Sequence, residues 1–325
     1  MTPPSYPPPP MTPDRMPVPQ SPGWPQYAIH LGLFIATVAS LLFAGNPMVL
    51  LDDEPFSLAN LWRGWPFAVP LITILIAHEF GHFIAARRHG VPASLPYFLP
   101  MPLSPFGTMG AIIVMRGRIA SRKALLDIGA SGPLAGMAVA LPVLVWGLLH
   151  SEVKEITGHG VMEGQCLLYS LIKRIVLGPI PDGFDVFLHP TAFAGWVGML
   201  ITMINLVPVG QLDGGHVAYA LLGPRQNTVA KYVHLGLLGV FATTFGMHFL
   251  DASKQAPLAD AAYTAFTMSF VWLLWFGLLL LLRRLSKGNH PPTGPGDLDR
   301  TRKAIAVGTL LLFVLLFMPT PWSTY

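Results

Sequence analysis

Seven long apolar runs recur along the chain, near residues 27–45, 66–86, 128–149, 190–209, 229–250, 262–282 and 304–318. Each comes close to the roughly 17–25 residues that a helix needs to cross the hydrocarbon of a bilayer. The pattern predicts an all-α polytopic membrane protein with about seven transmembrane helices. One apolar stretch cannot follow that pattern. Ser94–Gly117 carries Pro96, Pro100, Pro102 and Pro105 within ten residues, a density that forbids a regular helix. Gly107 and Gly110 mark a turn, and Ala111–Met115 reads as a short strand. Non-helical backbone is tolerated at membrane depth only against protein or a wet cavity. The segment near 94–117 is therefore expected to be a re-entrant, β-hairpin-like element beside a water-filled site.

Charge orients this bundle. Only 11% of the 325 residues are charged and 52% are hydrophobic, against about 25% charged in an ordinary soluble domain. The formal net charge of +4 does not point to nucleic acid, because the basic residues are sorted by loop. Segment 87–123 has six basic residues and no acid, and segment 283–303 has six and two; segment 46–65 has one and three, and segment 151–189 has three and five. Basic loops stay cytoplasmic, so 87–123, 210–228 and 283–303 should lie in the cytoplasm with the N-terminus. Residues 1–26 are proline-rich and read as a disordered cytoplasmic tail. They lack a basic n-region, so the first apolar run reads as a retained helix. Residues 27–325 form one membrane-embedded unit whose surroundings are the lipid bilayer. The single cysteine, Cys166, excludes an intrachain disulfide and a cysteine-based metal site.

Candidate chemistry sits inside the second run, in the sequence HEFGH at residues 78–82. His78 and His82 are four apart, so a helix projects them from one face, one turn from each other. Two imidazoles at that spacing can hold one Zn²⁺, and Glu79 beside them can reach a water at the metal as a general base. Among the sixteen acidic residues, Glu79 lies inside an apolar run and Asp213 at the edge of another beside a glycine-rich turn, while Asp127 sits at a helix entrance. An ionisable group in the membrane costs at least about 2.5–3.5 kcal/mol and marks a functional site. A bound cation would compensate the two carboxylates. A catalytic zinc takes three protein ligands, and at this level either Asp213 or His216 fits as the third. The competing function is an intramembrane metal transporter, which would want its ligands spread along a path across the membrane.

HEFGH on a membrane helix is followed by Gly132-Pro133, then Asn205-Leu-Val-Pro208, then Leu212-Asp213-Gly214. This order of motifs, over roughly residues 66–220, resembles the site-2 protease family of intramembrane zinc metalloproteases. The resemblance implies a three-helix core, with His78, His82 and Asp213 holding one Zn²⁺ and Glu79 as catalytic base. It implies that Asn205 helps to hold the substrate backbone. Gly107, Thr108 and Gly110, at the turn of the proline-rich segment, are the candidates for contact with an unwound substrate strand. The implied partner is a membrane-anchored protein already shortened by another protease, cut within or near its transmembrane segment by regulated intramembrane proteolysis. The expected location is a prokaryotic plasma membrane, with the active site towards the cytoplasmic leaflet. Neither the external PDZ domain nor the cytoplasmic CBS pair of some family branches is expected in these residues.

Overall fold

A computed structural model describes residues 24–46, 58–115, 119, 121–156, 161–254, 256–285, 293–294 and 296–324. The proline-rich tail, up to residue 23, lies outside the described residues, as do Asp52, Asp53, Glu54, Arg116 and Arg118. In chain order the helices are α1 (Trp24–Gly45), α2 (Trp65–Arg88), α3 (Arg122–Leu149), α4 (Leu167–Leu177), α5 (Pro190–Asn205), α6 (Asp213–Leu222), α7 (Gln226–Ala252), α8 (Leu258–Leu285) and α9 (Arg300–Leu316). All seven apolar runs are thus helical. Five segments of the described residues are long and apolar enough to cross a membrane, where seven were expected: Gln26–Gly45, Asn60–Arg88, Arg122–Leu149, Asp213–Ala252 and Leu258–Leu281. The other two runs give shorter helices, 16 residues in α5 and 17 in α9. Pro208 explains α5: it has no N–H to donate and disfavours helical backbone at Val207, so the helix stops at Asn205, four residues before the apolar run ends.

At the centre, α3 packs against α2, α5, α6 and α9, and α2 also packs against α5. Ser121 starts α3, its hydroxyl accepting the Ala124 N–H at 3.1 Å. The interface between α2, α3 and α5 buries Leu71, Ile74, Leu144, Val197 and Met199. α7 and α8 pack mainly on each other.

The proline-rich segment is a hairpin. β1 (Tyr97–Pro100) pairs antiparallel with β2 (Thr108–Ile112), Tyr97 opposite Ile112 and Phe98 opposite Ala111, with an irregularity before Pro100. The strand expected at Ala111–Met115 therefore begins three residues earlier, and Met115 makes only an isolated bridge to Ala93. Gly107 closes the turn at φ +71°, a conformation natural to glycine. The hairpin lies along α1. His30 Nδ1 donates to the Pro96 carbonyl at 3.1 Å near its open end, and the Ser40 hydroxyl donates to the Gly107 carbonyl at 2.5 Å at its tip. Those ten residues of α1 span about 15 Å.

Beyond the tip lies the cap built from the segment 151–189. β3 (Glu152–Glu155) and β4 (Val161–Glu163) pair antiparallel with β5 (Phe184–Phe187) and β6 (Trp322–Thr324), respectively. Phe106 of the turn stacks on Trp322 at 5.4 Å between ring centres. Trp196 of α5 is fully buried and donates its indole N–H to the Gly164 carbonyl at 2.8 Å. Lys173, buried in α4, is held by Glu163 at 3.1 Å and Asp185 at 3.7 Å. Burial, and then the adjacent Glu163 carboxylate, push the Tyr169 phenol well above its ordinary pKa. It keeps its proton and donates to Glu163 at 2.8 Å.

The seat of the hairpin on α1 can be tested at Gly107, where an added Cβ would fall against the Ser40 carbonyl. Gly107→Val combines that collision with a positive φ, a strain of about 1–3 kcal/mol. The variant should unfold at a lower temperature than wild type in detergent, and an unchanged midpoint would contradict the described contact.

Candidate metal centre and active site

The site forms where α2, α3, α6 and the end of α5 meet. The apolar faces of α2 bury themselves against α3 and α5, which carries His78 and Glu79 into the interior at 3% and 4% exposure. Contact with α3 is close enough that a Cβ on Gly132 would fall on the His82 imidazole. Glycine there lets the backbone of α3 form the wall of the site. Asp213 opens α6, just after the turn that Pro208 and Gly210 make.

Three donor atoms converge. His78 Nε2 and His82 Nε2 each lie 3.2 Å from Asp213 Oδ2, and 3.2 Å from each other. Tetrahedral Zn²⁺ with bonds of about 2.0–2.1 Å sets its donors about 3.3 Å apart, so this donor set fits the ion. Hydrogen bonding supports the fit. His82 Nδ1 lies 2.7 Å from the Ile128 carbonyl, which only accepts, so Nδ1 carries the proton. In the neutral ring the Nε2 lone pair then faces the Asp213 carboxylate, which is favourable only with a cation between them.

Glu79, Asn205, Gln211 and His216 line the same cavity, of about 180 Å³, together with the three donors. Asn205 Nδ2 lies 3.4 Å from His78 Nε2, at the wall of the donor cluster. His216 shares the cavity but does not belong to the convergent group, which among the described residues is His78, His82 and Asp213. A larger cavity, about 700 Å³, lies elsewhere, between α5, α7, α8 and α9, with mainly apolar walls. The donors make the smaller cavity the chemical one.

The hairpin meets this cavity at Ala111, Ile112, Ile113 and Met115. Gly107, Thr108 and Gly110, the expected substrate contacts, are not among its lining residues. Gly107 packs on α1, and the buried Thr108 hydroxyl donates to the Leu99 carbonyl at 2.9 Å. The part of β2 beside the donors is its second half. Sequence reasoning also missed the Ile128 carbonyl, because a backbone acceptor has no residue signature, and Gln211, a polar residue in a turn with nothing to distinguish it.

The family model of peptidase family M50 matches residues 66–246, which include every residue of the cavity. An Oryza sativa subsp. indica protein named "Probable zinc metalloprotease EGY2, chloroplastic" is 28% identical over 282 residues, covering 81% of this chain and 51% of the relative. An Arabidopsis thaliana protein named "Probable zinc metalloprotease EGY1, chloroplastic" is 34% identical over 260 residues, covering 70% and 47%. The Arabidopsis thaliana "Probable zinc metallopeptidase EGY3, chloroplastic" is 27% identical over 291 residues, covering 79% and 48%. The chain thus spans about half the length of the curated relatives it matches. No solved structure matches it.

The two third-ligand candidates left open by spacing alone differ in position, Asp213 lying in the convergent group and His216 outside it. Asp213→Asn replaces a carboxylate with a poorer neutral donor and should lower the zinc content of the purified protein. His216→Ala, which leaves the convergent donors in place, should lower it much less. Elemental analysis of the two variants checks this, and the reverse order would reject Asp213.

Proposed function

Since the chain belongs to peptidase family M50, the site-2 protease family, we propose that it is an intramembrane zinc endopeptidase cutting membrane-anchored proteins within or near their transmembrane segments. The observation that carries this reading is the convergence of His78, His82 and Asp213 at 3.2 Å separations, with Glu79 in the same cavity. A transporter would spread such groups along a path, whereas here they point at one place.

His78, His82 and Asp213 are the proposed ligands. Zn²⁺ held there supplies a Lewis acid for the scissile carbonyl and lowers the pKa of water. Glu79 follows His78 on α2, so it reaches the cavity without competing for the ligand position. It takes a proton from the attacking water and returns it to the leaving amine. The Asn205 amide, at the cavity wall, donates to a substrate backbone carbonyl.

A helical substrate hides its carbonyls in its own hydrogen bonds and has to unwind before it can be cut. β2 offers a place for the extended strand, because its far edge has no strand partner among the described residues and its second half lines the cavity. The proposed re-entrance of the hairpin rests on its course along α1, a candidate span, from His30 to Ser40. A substrate already shortened by another protease, as in regulated intramembrane proteolysis, fits a cavity this small.

Orientation follows from the basic residues. The C-terminus of α2, with Arg87 and Arg88, lies with the N-termini of α3 and α9 at one end of the bundle, joined by contacts from Asp127 to His89 and to Arg302. Arg122 at the same end donates to the Ala220 and Leu221 carbonyls of α6. By the positive-inside rule this end faces the cytoplasm, and the donor cluster lies towards it. The chloroplastic names of the relatives lend no support to a prokaryotic plasma membrane, and the lipid bilayer itself is all that the apolar helices require.

Glu79→Gln should keep wild-type zinc content and lose cleavage of a tagged single-span substrate by at least about 10²-fold, the lower range for removing a general base. Proteolysis at the normal rate by this variant would reject the mechanism. Orientation reporters fused after Gly90 and after Lys287 should both report cytoplasm, and an external signal from either overturns the proposed topology.

A further inference from the structure

We infer that Asp127, clamped by Arg302 of α9 and by His89 at the C-cap of α2, is a positioning residue for the metal ligand His82. The inference rests on the metal-site reading above. It concerns a helix, α9, that lies beyond the residues 66–246 matched by the family model.

The argument starts from helix geometry. His89, the C-cap of α2, follows His82 by seven residues, about two turns, so both leave the same side of the helix towards α3. They meet two consecutive residues there. His82 Nδ1–H donates to the backbone carbonyl of Ile128 at 2.7 Å, and His89 Nε2 lies 2.8 Å from the side-chain Oδ2 of Asp127. The zinc helix is therefore fastened to α3 at two points, one on the ligand and one two turns beyond it. The second fixes how far α2 slides or rolls against the carbonyl that orients His82.

Asp127 is held in turn. Arg302 Nε donates to Oδ1 at 2.9 Å and Arg302 Nη2 to Oδ2 at 2.7 Å, a two-pronged contact that fixes the plane of the carboxylate. Arg302 is aimed by Asp299, which accepts its Nη1 at 2.7 Å and caps α9 by accepting its backbone N–H at 2.9 Å. The three principal side chains are a quarter to a third exposed: Arg302 31%, His89 27% and Asp127 25%. At such exposure ion pairs contribute little to stability, so a purely stabilising role accounts poorly for three elements meeting on one carboxylate. Holding the register of α2 on α3 accounts for it directly.

The test uses the full-length chain in detergent, with Zn²⁺ alone against a competing chelator and with Co²⁺ alone as a spectroscopic probe. Partners that orient a metal's ligands typically change affinity 10–100-fold, and Asp127 acts one step further out, so Asp127→Asn and Arg302→Met should weaken Zn²⁺ binding by about tenfold. Both should also shift the visible bands of the Co²⁺ form. Arg302→Lys, which keeps the cation and loses the fork, should fall between them and wild type, and it serves if Asp127→Asn does not fold. Asp299→Ala weakens the cap of α9 and removes one contact that aims Arg302, yet leaves the two-pronged contact with Asp127 in place, so its loss of metal affinity and its Co²⁺ shift should be clearly smaller than those of Asp127→Asn. Wild-type affinity and spectrum in the Asp127 and Arg302 variants would overturn the inference. So would an equal loss in Asp299→Ala, which would trace the effect to the folding of α9. His82→Ala separates this from the underlying reading: if it keeps the wild-type Co²⁺ spectrum, the metal site itself is misassigned.

Discussion

How closely two helix backbones approach decides what this molecule can do. Where α2 crosses α3, the His82 ring lies in space that any side chain at position 132 would fill. That approach gives the imidazole a backbone acceptor, Ile128, at hydrogen-bonding distance, and so determines which nitrogen carries the proton and which faces inward. Had the helices been kept apart by larger side chains, the two histidines would still share a face of α2. They would have no fixed orientation, and the third donor, from α6, would have nothing to converge upon.

Burying these groups sets the second condition. Glu79 and Asp213 are carboxylates in an apolar bundle, and their desolvation is unfavourable unless positive charge lies close by. The ion-pair partners of Asp213 among the described residues are His78 and His82, while Arg87, Arg88 and Arg122 belong to the basic end of the bundle. The donor cluster is thus electrostatically incomplete as a protein structure alone, and the spacing of its atoms matches the ion that would complete it. The hairpin lies on the same side of this problem. Its prolines keep it from closing all its backbone bonds in a helix, so it carries an exposed strand edge into the neighbourhood of the reactive cavity.

The sequence revealed these features unequally. HEFGH and Asp213 were legible because ionisable residues in apolar runs stand out and because a helix fixes the spacing of His78 and His82. The apolar runs located the helices but overstated how many of them are long enough to span, because hydrophobicity continues past Asn205 while the backbone turns at Pro208. Proline density exposed the hairpin, yet its register was read three residues late; β-propensity favours Ala111–Met115, whereas the actual strand is set by where Gly107 permits the turn. The role of Asp127 was hidden, since a carboxylate at a helix entrance looks like an ordinary cap until Arg302, 175 residues later, folds back upon it.

The shortness of α5 has a consequence for hydration. Its 16 residues measure about 24 Å along the axis, against about 30 Å of hydrocarbon in a typical bilayer. The deficit of about 6 Å falls wherever the helix fails to reach the interface, and Asn205, its last residue, is at the cavity wall. Hydrophobic mismatch of this kind draws the headgroup region inward. The bilayer would dimple over the end of α5, so that bulk water stands one helical turn nearer to Glu79. The water needed for the proposed hydrolysis would then arrive through a local thinning of the membrane rather than through a pore.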